Sequence, residues 1–378
     1  MDYDVLILGG GIIGCSAAYE LSKYSLNIAL IEKDYDIADD VALINSAVVY
    51  DGSECEDTLM SKLESMGNSM IYDLAERFNV PYKKCGTLTI AESDENNIKL
   101  QKVYERSMQR SINNISMLSD KEAYEMEPNL NINIKGAMYT RNTGVICPYD
   151  LALAFGEIAF DNGVNFKLEE EVLDIQKISK GFRVITNKNK FTCNIVVNTT
   201  PGENYSIDTN EKSYKNRTNM NYFLLDKNYE GSFKNIVSTF SRTGERIYTV
   251  PSVQGNTIVS IGTKEEIDYN EALIRVSSLI GSIKEEEIST YFQSPFYNDN
   301  IIIDDSLVDN GYIKVIGKHY GQVTMAPYIA QIVCETIINN VNCVLKKDFV
   351  DRRREVYRFR DLSNEERKRI IEMDKKYG

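Results

Sequence analysis

The sequence predicts an α/β protein with a βαβ unit at its N-terminus and a sheet-rich domain set into it. Three observations predict this class. Residues 2–32 read, in order, as strand, glycine turn, helix, strand and acid. Helical and strand-like patterns then alternate along the chain. Near its end, Val315-Ile316-Gly317 and a helical stretch after it return to the first domain. With 378 residues and 43% hydrophobic content, the chain can bury a substantial core, and its length suggests two domains.

Each part of the opening unit has a physical task. Residues 2–8 begin polar and become apolar, as a buried strand does. Gly9 permits the tight turn out of that strand. Gly11 lets backbone approach a pyrophosphate without an intervening Cβ, and Gly14 lets the helix pack closely on the strand. The helix, predicted through Lys23, aims unpaired N–H groups and the positive end of its dipole at the phosphates. A second strand over 27–31 ends in Glu32, about 20 residues beyond the turn, where a carboxylate accepts bonds from ribose hydroxyls. The unit is that of a dinucleotide-binding site.

Later elements follow from period and punctuation. Leu59, Leu63, Met66, Met70, Leu74 and Phe78 predict a helix over 58–78, stopped by Pro81. Residues 86–91 alternate as a strand, and 98–113 read as a helix. Ser119 and Glu122 form a capping box for a short helix. A helix over 151–162 ends at Gly163. Residues 170–175 form a strand, 182–186 and 191–193 a hairpin, and 195–198 a buried-type strand broken at Thr199-Thr200-Pro201-Gly202. Strands at 222–225, 247–250 and 257–261 lead to a helix over 272–280. Strands at 301–303 and 312–317 precede a helix over 327–340, and a second capping box, Ser363 with Glu366, opens a charged final helix.

The net charge of −13 argues against nucleic acid as a partner. Met1-Asp2-Tyr3-Asp4 is not a basic leader, and no apolar run reaches the ~20 residues of a transmembrane helix. A soluble cytoplasmic protein is the default, with peripheral membrane contact left open. Seven cysteines without a CxxC pair read as reduced thiols, and one histidine gives no zinc pattern. Cys15 has two readings: a thiol activated by the helix N-terminus, or a small packing residue.

Residues 4–14, Glu32-Lys33, Asn45-Ser46-Ala47, Gly144 to Tyr149, Glu171-Val172, and Gly317 with Thr324, Ala326 and Pro327 resemble the D-amino-acid-oxidase-like FAD-dependent oxidoreductases. The nearest branch is that of bacterial glycerol-3-phosphate dehydrogenases and L-2-hydroxyglutarate dehydrogenases. The resemblance also takes in Val250-Pro251-Ser252 through Gly262-Thr263, and runs over nearly the whole chain. It implies a Rossmann-like FAD-binding domain over 1–75, 145–205 and 300–345. A substrate or cap domain would occupy 76–144 and 206–299, with a charged extension over 346–378. In longer relatives the stretch like 363–378 leads into a cysteine-rich iron–sulfur domain, which is expected to be absent here.

The cofactor implied is FAD. Gly9, Gly11, Ile12, Ile13 and Gly14 would meet the pyrophosphate, and Glu32 with Lys33 the adenosine ribose. Asn45 and Ser46 belong to the same implied site. Val172 would reach the adenine through its backbone, and the loop carrying Gly317, Gly321, Val323 and Thr324 would pass the flavin ring. The implied reaction moves a hydride from a small hydroxy acid, polyol phosphate or amino acid to flavin N5. A small anionic substrate and a separate electron-acceptor protein are the partners implied.

The sequence also departs from the family. Asp39-Asp40 stand in the pyrophosphate loop, and Tyr50 stands where relatives carry a histidine. Tyrosine, with an ordinary pKa of about 10, is a poor base near neutrality. Thr199-Thr200-Pro201 replaces an Ala-Ala-Gly turn, and the arginine expected near Gln293 to Phe296 is missing. Tyr50 and His319 are the candidate catalytic residues. His319 reads either as a substitute acid–base beside the flavin loop or as a loop histidine. Arg242 and Arg246 read as anion ligands or as solvated surface charges. A non-catalytic homologue, acting as partner subunit or scaffold, is the alternative function.

Overall fold

The computed structural model describes residues 1–38, 47–208, 217–240, 245–281, 283–307, 311–354, 359 and 362–373. Among these, the strands form two eight-stranded sheets and one of three strands. The first sheet is built on β1 (Tyr3–Leu8), whose residues Val5 to Leu8 are wholly buried. An apolar run of this kind suits a strand covered on both faces. β1 pairs in parallel with β2 (Ile28–Ile31) on one side and Lys190–Asn198 on the other. Beyond β2 lies Asn165–Lys167, and beyond Lys190–Asn198 lies Tyr312–Ile316, both parallel. Ile302–Leu307 closes that edge antiparallel. The hairpin Val172–Lys177 and Phe182–Thr186 continues the sheet from the first half of Lys190–Asn198.

Helix α1 (Ile12–Ser22) packs on Pro148–Asp161 and Gln322–Asn340. Their shared core holds Ile7, Leu30, Phe155 and Ile329. The second sheet runs from Ile288–Tyr297 through Arg217–Leu225, Thr257–Thr263, Arg246–Pro251, Ile236–Phe240, Thr87–Ala91 and Gly136–Thr140 to Ile115–Leu118. It has its own core around Leu88, Phe223, Val259 and Leu279. The fold is thus α/β, with a Rossmann-like unit joined to a sheet-rich part. Among the described residues no helix is long and apolar enough to cross a membrane.

The helix read over 98–113 lies at Asp94–Gln109, and two further differences from the sequence reading bear on the site. The helix Thr58–Arg77 exists, and Leu74 and Phe78 of the expected stripe are buried with Leu63 and Met70 packed on the same core, but Leu59 and Met66 are exposed. Leu59 is 69% exposed, while Met60, Glu64, Gly67, Ile71 and Ala75 face inward. The cause is close approach to another backbone: a Cβ on Gly67 would lie 1.9 Å from the Thr324 carbonyl oxygen. That contact fixes which face turns in, and it carries Glu64 with it. The helix read over 327–340 starts earlier, as Gln322–Asn340, with Pro327 inside it. Proline's fixed φ is helical, so the helix continues through it after losing one N–H donor.

Candidate functional site

A cleft of about 300 Å³ opens where β1 ends and α1 begins, at the carboxyl edge of the first sheet. Gly9 has φ +96°, which turns the chain out of the strand. A Cβ on Gly14 would lie 1.9 Å from the Gly9 carbonyl oxygen, so the helix can sit this close only with glycine there. Gly11 is the opposite case. A Cβ there would meet nothing within 4 Å, so this position faces open space. Gly11 is also the N-cap of α1 and makes no side-chain capping bond. The first turn of α1 therefore presents backbone donors and a positive dipole end to an open cradle.

Glu32 stands at the tip of β2. Its Oε2 accepts from the Gly10 N–H at 2.6 Å and its Oε1 from the Asp34 N–H at 3.0 Å. Each oxygen keeps acceptor capacity for a ribose hydroxyl. Val172 starts the hairpin that closes the far end of the cleft, next to an irregularity in the ladder. Opposite, Thr199 takes the Leu8 carbonyl through both its N–H (3.0 Å) and its hydroxyl (2.8 Å). Thr200 caps back onto the Asn198 side chain through its N–H at 2.9 Å. These bonds hold the Thr-Thr-Pro turn in place of a glycine-containing one.

The cleft brings together Gly9, Gly11, Ile12, Ile13, Gly14, Glu32, Lys33, Val172, His319 and Val323 from the expected set. Gly317, Gly321, Thr324 and Tyr50 are not among the residues lining it. A Cβ on Gly317 would meet the Asn300 carbonyl oxygen at 2.3 Å, and one on Gly321 would meet Glu64 Oε1 at 2.3 Å, so both glycines serve packing behind the cleft. Thr324 is buried and its Oγ1 accepts from the Tyr50 N–H at 3.1 Å. Asn45, Ser46, the Asp39-Asp40 loop and Arg242 lie outside the described residues.

His319 is 4% exposed and lines the cleft. Its Nδ1 accepts from the Gly321 N–H at 3.0 Å, so in the neutral ring Nε2 carries the proton. Burial pulls its pKa from 6.5 to about 4, opposed in part by Asp57. The ring lies against Tyr320 at 4.1 Å between centroids, and Tyr320 against Tyr50 at 4.8 Å. Tyr50 lines a second, very small cavity on the other side, with Asp51, Glu54 and Tyr248. The phenol of Tyr320 thus separates the two spaces.

Behind this wall is a group of acids that the sequence reading missed. Glu64 is 0% exposed, and among the described residues neither of its oxygens makes a hydrogen bond. Burial, then Asp51 and Glu54, push its carboxyl well above the usual range, with the Gly52 backbone opposing weakly. Asp51 is also buried and raised by desolvation, although Ser53 donates to it through N–H and hydroxyl. Glu54 pairs with Arg246 at 2.7 Å. Arg246 is therefore ion-paired rather than a solvated surface charge. In sequence, Glu64 is one polar residue in an amphipathic stretch, and only the Gly67 contact reveals where it points.

Cys15 is a packing residue. Its thiol is buried and lies 3.2 Å from the Gly10 carbonyl oxygen, and burial, with Glu32 and Asp36, pushes its pKa up. Thr199, Thr200, Glu203, Tyr205, Lys318 and Gln322 also line the cleft and were not among the expected site residues. Lys318 and Gln322 flank residues that were, so the loop itself was the signal.

A family model described as FAD dependent oxidoreductase matches residues 4–336. The chain is 33% identical over 398 aligned residues to a glycerol 3-phosphate dehydrogenase of Caloramator mitchellensis, covering 100% of this chain and 82% of that protein. It is 27% identical to a glycerol 3-phosphate oxidase of Mycoplasma genitalium, covering 91% and 96%. Its fold is similar to that of L-alpha-glycerophosphate oxidase from Mycoplasma pneumoniae, solved with FAD bound. That likeness has a TM-score of 0.82 and 22% identity, over 94% of this chain and 99% of the other.

Proposed function

Because the chain belongs to the FAD-dependent oxidoreductase family, we propose that it oxidises a small polyol phosphate of the glycerol 3-phosphate type. The cofactor is FAD, and the residues present fit its AMP half. The observation that carries this is the open cradle at Gly11, on an uncapped helix N-terminus, with Glu32 beside it. In this reading the α1 amides of Ile12 and Ile13 hold the pyrophosphate. Glu32, with Lys33 next to it, holds the ribose. Val172 meets the adenine region through its backbone. Of the 317–324 loop, Lys318, His319, Tyr320, Gln322 and Val323 line the cleft and would border the flavin ring.

Bound there, FAD supplies a two-electron acceptor that takes a hydride at N5 from a carbon bearing a hydroxyl or amine. The chain's own part is to orient and to manage a proton. His319, neutral with its proton on Nε2, is a donor toward the cleft. Tyr50 positions Tyr320 through ring contact, and its backbone is tied to Thr324 and Asn68. Among the described residues, Lys318, beside His319, is the lysine of the cleft outside the proposed ribose end, whereas Glu32, Glu170, Glu171 and Glu203 also line the cleft. We assign residues 1–75, 145–205 and 300–345 to cofactor binding and 76–144 with 206–299 to the substrate side. Similarity over the whole chain to a glycerol 3-phosphate dehydrogenase supports that substrate first, with hydroxy acids and amino acids behind it.

One observation favours a second reading, a flavin-binding homologue without turnover. The guanidinium of Arg246 is already matched by Glu54, and Asp51 and Glu64 add carboxyls nearby. Anaerobic titration separates the two. The purified protein is reconstituted with FAD and its visible spectrum followed while glycerol 3-phosphate, L-2-hydroxyglutarate, glycine and proline are added in turn. Bleaching by the polyol phosphate supports the first reading. Bound flavin that none of them bleaches supports the second, and a protein that takes up no flavin overturns both. Reoxidation of the bleached flavin by dioxygen alone would remove the need for an acceptor protein.

A further inference from the structure

Glu64 has no role in the site as described, yet its position is specific. It is wholly buried on Thr58–Arg77, neither oxygen makes a hydrogen bond among the described residues, and Oε1 lies 3.8 Å from Nδ1 of His319. The same oxygen faces Gly321, whose missing Cβ makes room for it. Gly321 donates its N–H to that same Nδ1. One imidazole nitrogen therefore faces both a backbone donor and a carboxyl.

We propose that Glu64 is a positioning residue that selects which ring nitrogen of His319 carries the proton. With Glu64 protonated, Nδ1 accepts from Gly321 and Nε2–H is presented to the cleft as a donor. With Glu64 ionised, the carboxylate favours a proton on Nδ1, which then gives up the bond from the Gly321 N–H, and Nε2 becomes an acceptor. The two states differ by one proton, lost from the Glu64 carboxyl to solvent. Within the proposed reaction, on which this consequence rests, the alcohol proton released with the hydride needs an acceptor. Only the second state supplies one at Nε2, and it then holds that proton as the imidazolium beside the Glu64 carboxylate.

The surroundings bear on that choice from every side. Asp51, Glu54, Cys55, Tyr248 and Tyr320 interact electrostatically with Glu64, and Glu54 is itself paired with Arg246. Asp57 faces His319 and raises its proton affinity. Burial first, then Asp51 and Glu54, raises the proton affinity of Glu64 and favours the donor state. Raising the pH converts it to the acceptor state.

His319 is the chain's sole histidine. Protein labelled with 15N-histidine therefore gives one imidazole, whose nitrogen shifts report the tautomer directly. The spectra are recorded from about pH 6 to about pH 9.5 for the wild type and Glu64→Gln. The wild type is expected to pass from Nε2–H to Nδ1–H, and the glutamine variant to lose that crossing and stay Nε2–H. A flat wild-type response, or the same crossing in both proteins, overturns the proposal. Infrared spectra of the wild type serve as a control should the variant not fold. The protonated-carboxyl band must disappear over the same pH interval as the tautomer change, and a separate interval overturns the proposal. Bleaching by glycerol 3-phosphate is then followed over the same range. A rising limb in the wild type that Glu64→Gln lacks ties the switch to the reaction. Absence of bleaching at any pH overturns the substrate reading, while the nitrogen shifts still decide whether Glu64 sets the tautomer.

Discussion

Gly11 and Gly14 share a turn but answer to different constraints. A Cβ on Gly11 enters open space, whereas one on Gly14 meets a carbonyl oxygen at 1.9 Å. Gly11→Val should leave the denaturation midpoint nearly unchanged and weaken FAD binding at least about tenfold, measured by flavin fluorescence. Gly14→Ala should instead cost about 1–3 kcal/mol or more of stability through overpacking, measured by urea denaturation. Glu64 predicts a pH effect of definite sign. Its folded-state pKa is raised, so its contribution is full below the unfolded value and is lost as pH rises toward the folded one. The Glu64 part of wild-type stability should fall from about pH 5 upward, so the difference between wild type and Glu64→Gln should change with that sign, the part due to Asp51 remaining in both. His319 acts in the opposite direction. Its lowered pKa withdraws stability as pH falls from 6.5 to about 4.

Among the elements, the contact between Thr58–Arg77 and Gln322–Asn340 carries most consequence. Gly67 lets the helices meet backbone to backbone at Thr324, and Thr324 in turn holds the Tyr50 amide. Gly67→Ala should force the helices apart, lower the urea midpoint and loosen Tyr50. Slower bleaching at unchanged flavin affinity would register that movement; unchanged bleaching would deny the link. The same contact explains what the sequence could and could not convey. The N-terminal unit is legible because its glycines obey local rules: a turn, a close approach, an open cradle. Strands and helices with strong periodicity, such as Thr58–Arg77, are legible as elements too. The inward face of that helix is legible only in part: Leu74 is buried as read, but Leu59 and Met66 fit the apolar period as well as Met60 and Ile71 do. A tertiary contact at one glycine decided between them, and Glu64 was hidden with it. Likewise, continuity of Lys190–Asn198 across the polar Asn194 depends on three neighbouring strands that no local pattern reveals.

At the scale of the molecule, residues 344–354 bind the back of the cofactor-side core. The Val344 carbonyl accepts from Ser25 N–H at 2.8 Å, and Lys346 N–H donates to the Lys23 carbonyl at 2.8 Å. Val350 N–H reaches Asn162 at 2.9 Å and Tyr19 donates its hydroxyl to Asp351 at 2.8 Å. Arg353, with only 5% of its side chain exposed, pairs with Asp150 at 2.7 Å and with Glu157. Arg77 pairs with Asp351 and Arg354 with Asp161. Arg353→Ala should therefore cost about 1–3 kcal/mol, less than a fully buried pair because Glu157 is partly solvated. Urea denaturation at low and high salt checks it, and the wild type should lose more than the variant on adding salt.

The strand Lys190–Asn198 ends at the threonines that line the cleft, and Val196 and Val197 are paired on both sides, with Leu6 and Ile7 and with Tyr312 and Ile313. Amides held this way exchange their hydrogens with solvent only when the whole molecule opens. A ligand that binds the folded state alone lowers that open population by a factor of one plus its concentration over Kd, about a hundredfold at a hundred times Kd. Deuterium uptake at Val196 and Val197 thus reads the binding free energy of FAD, or of any other occupant of the cleft, without a chromophore or a reaction.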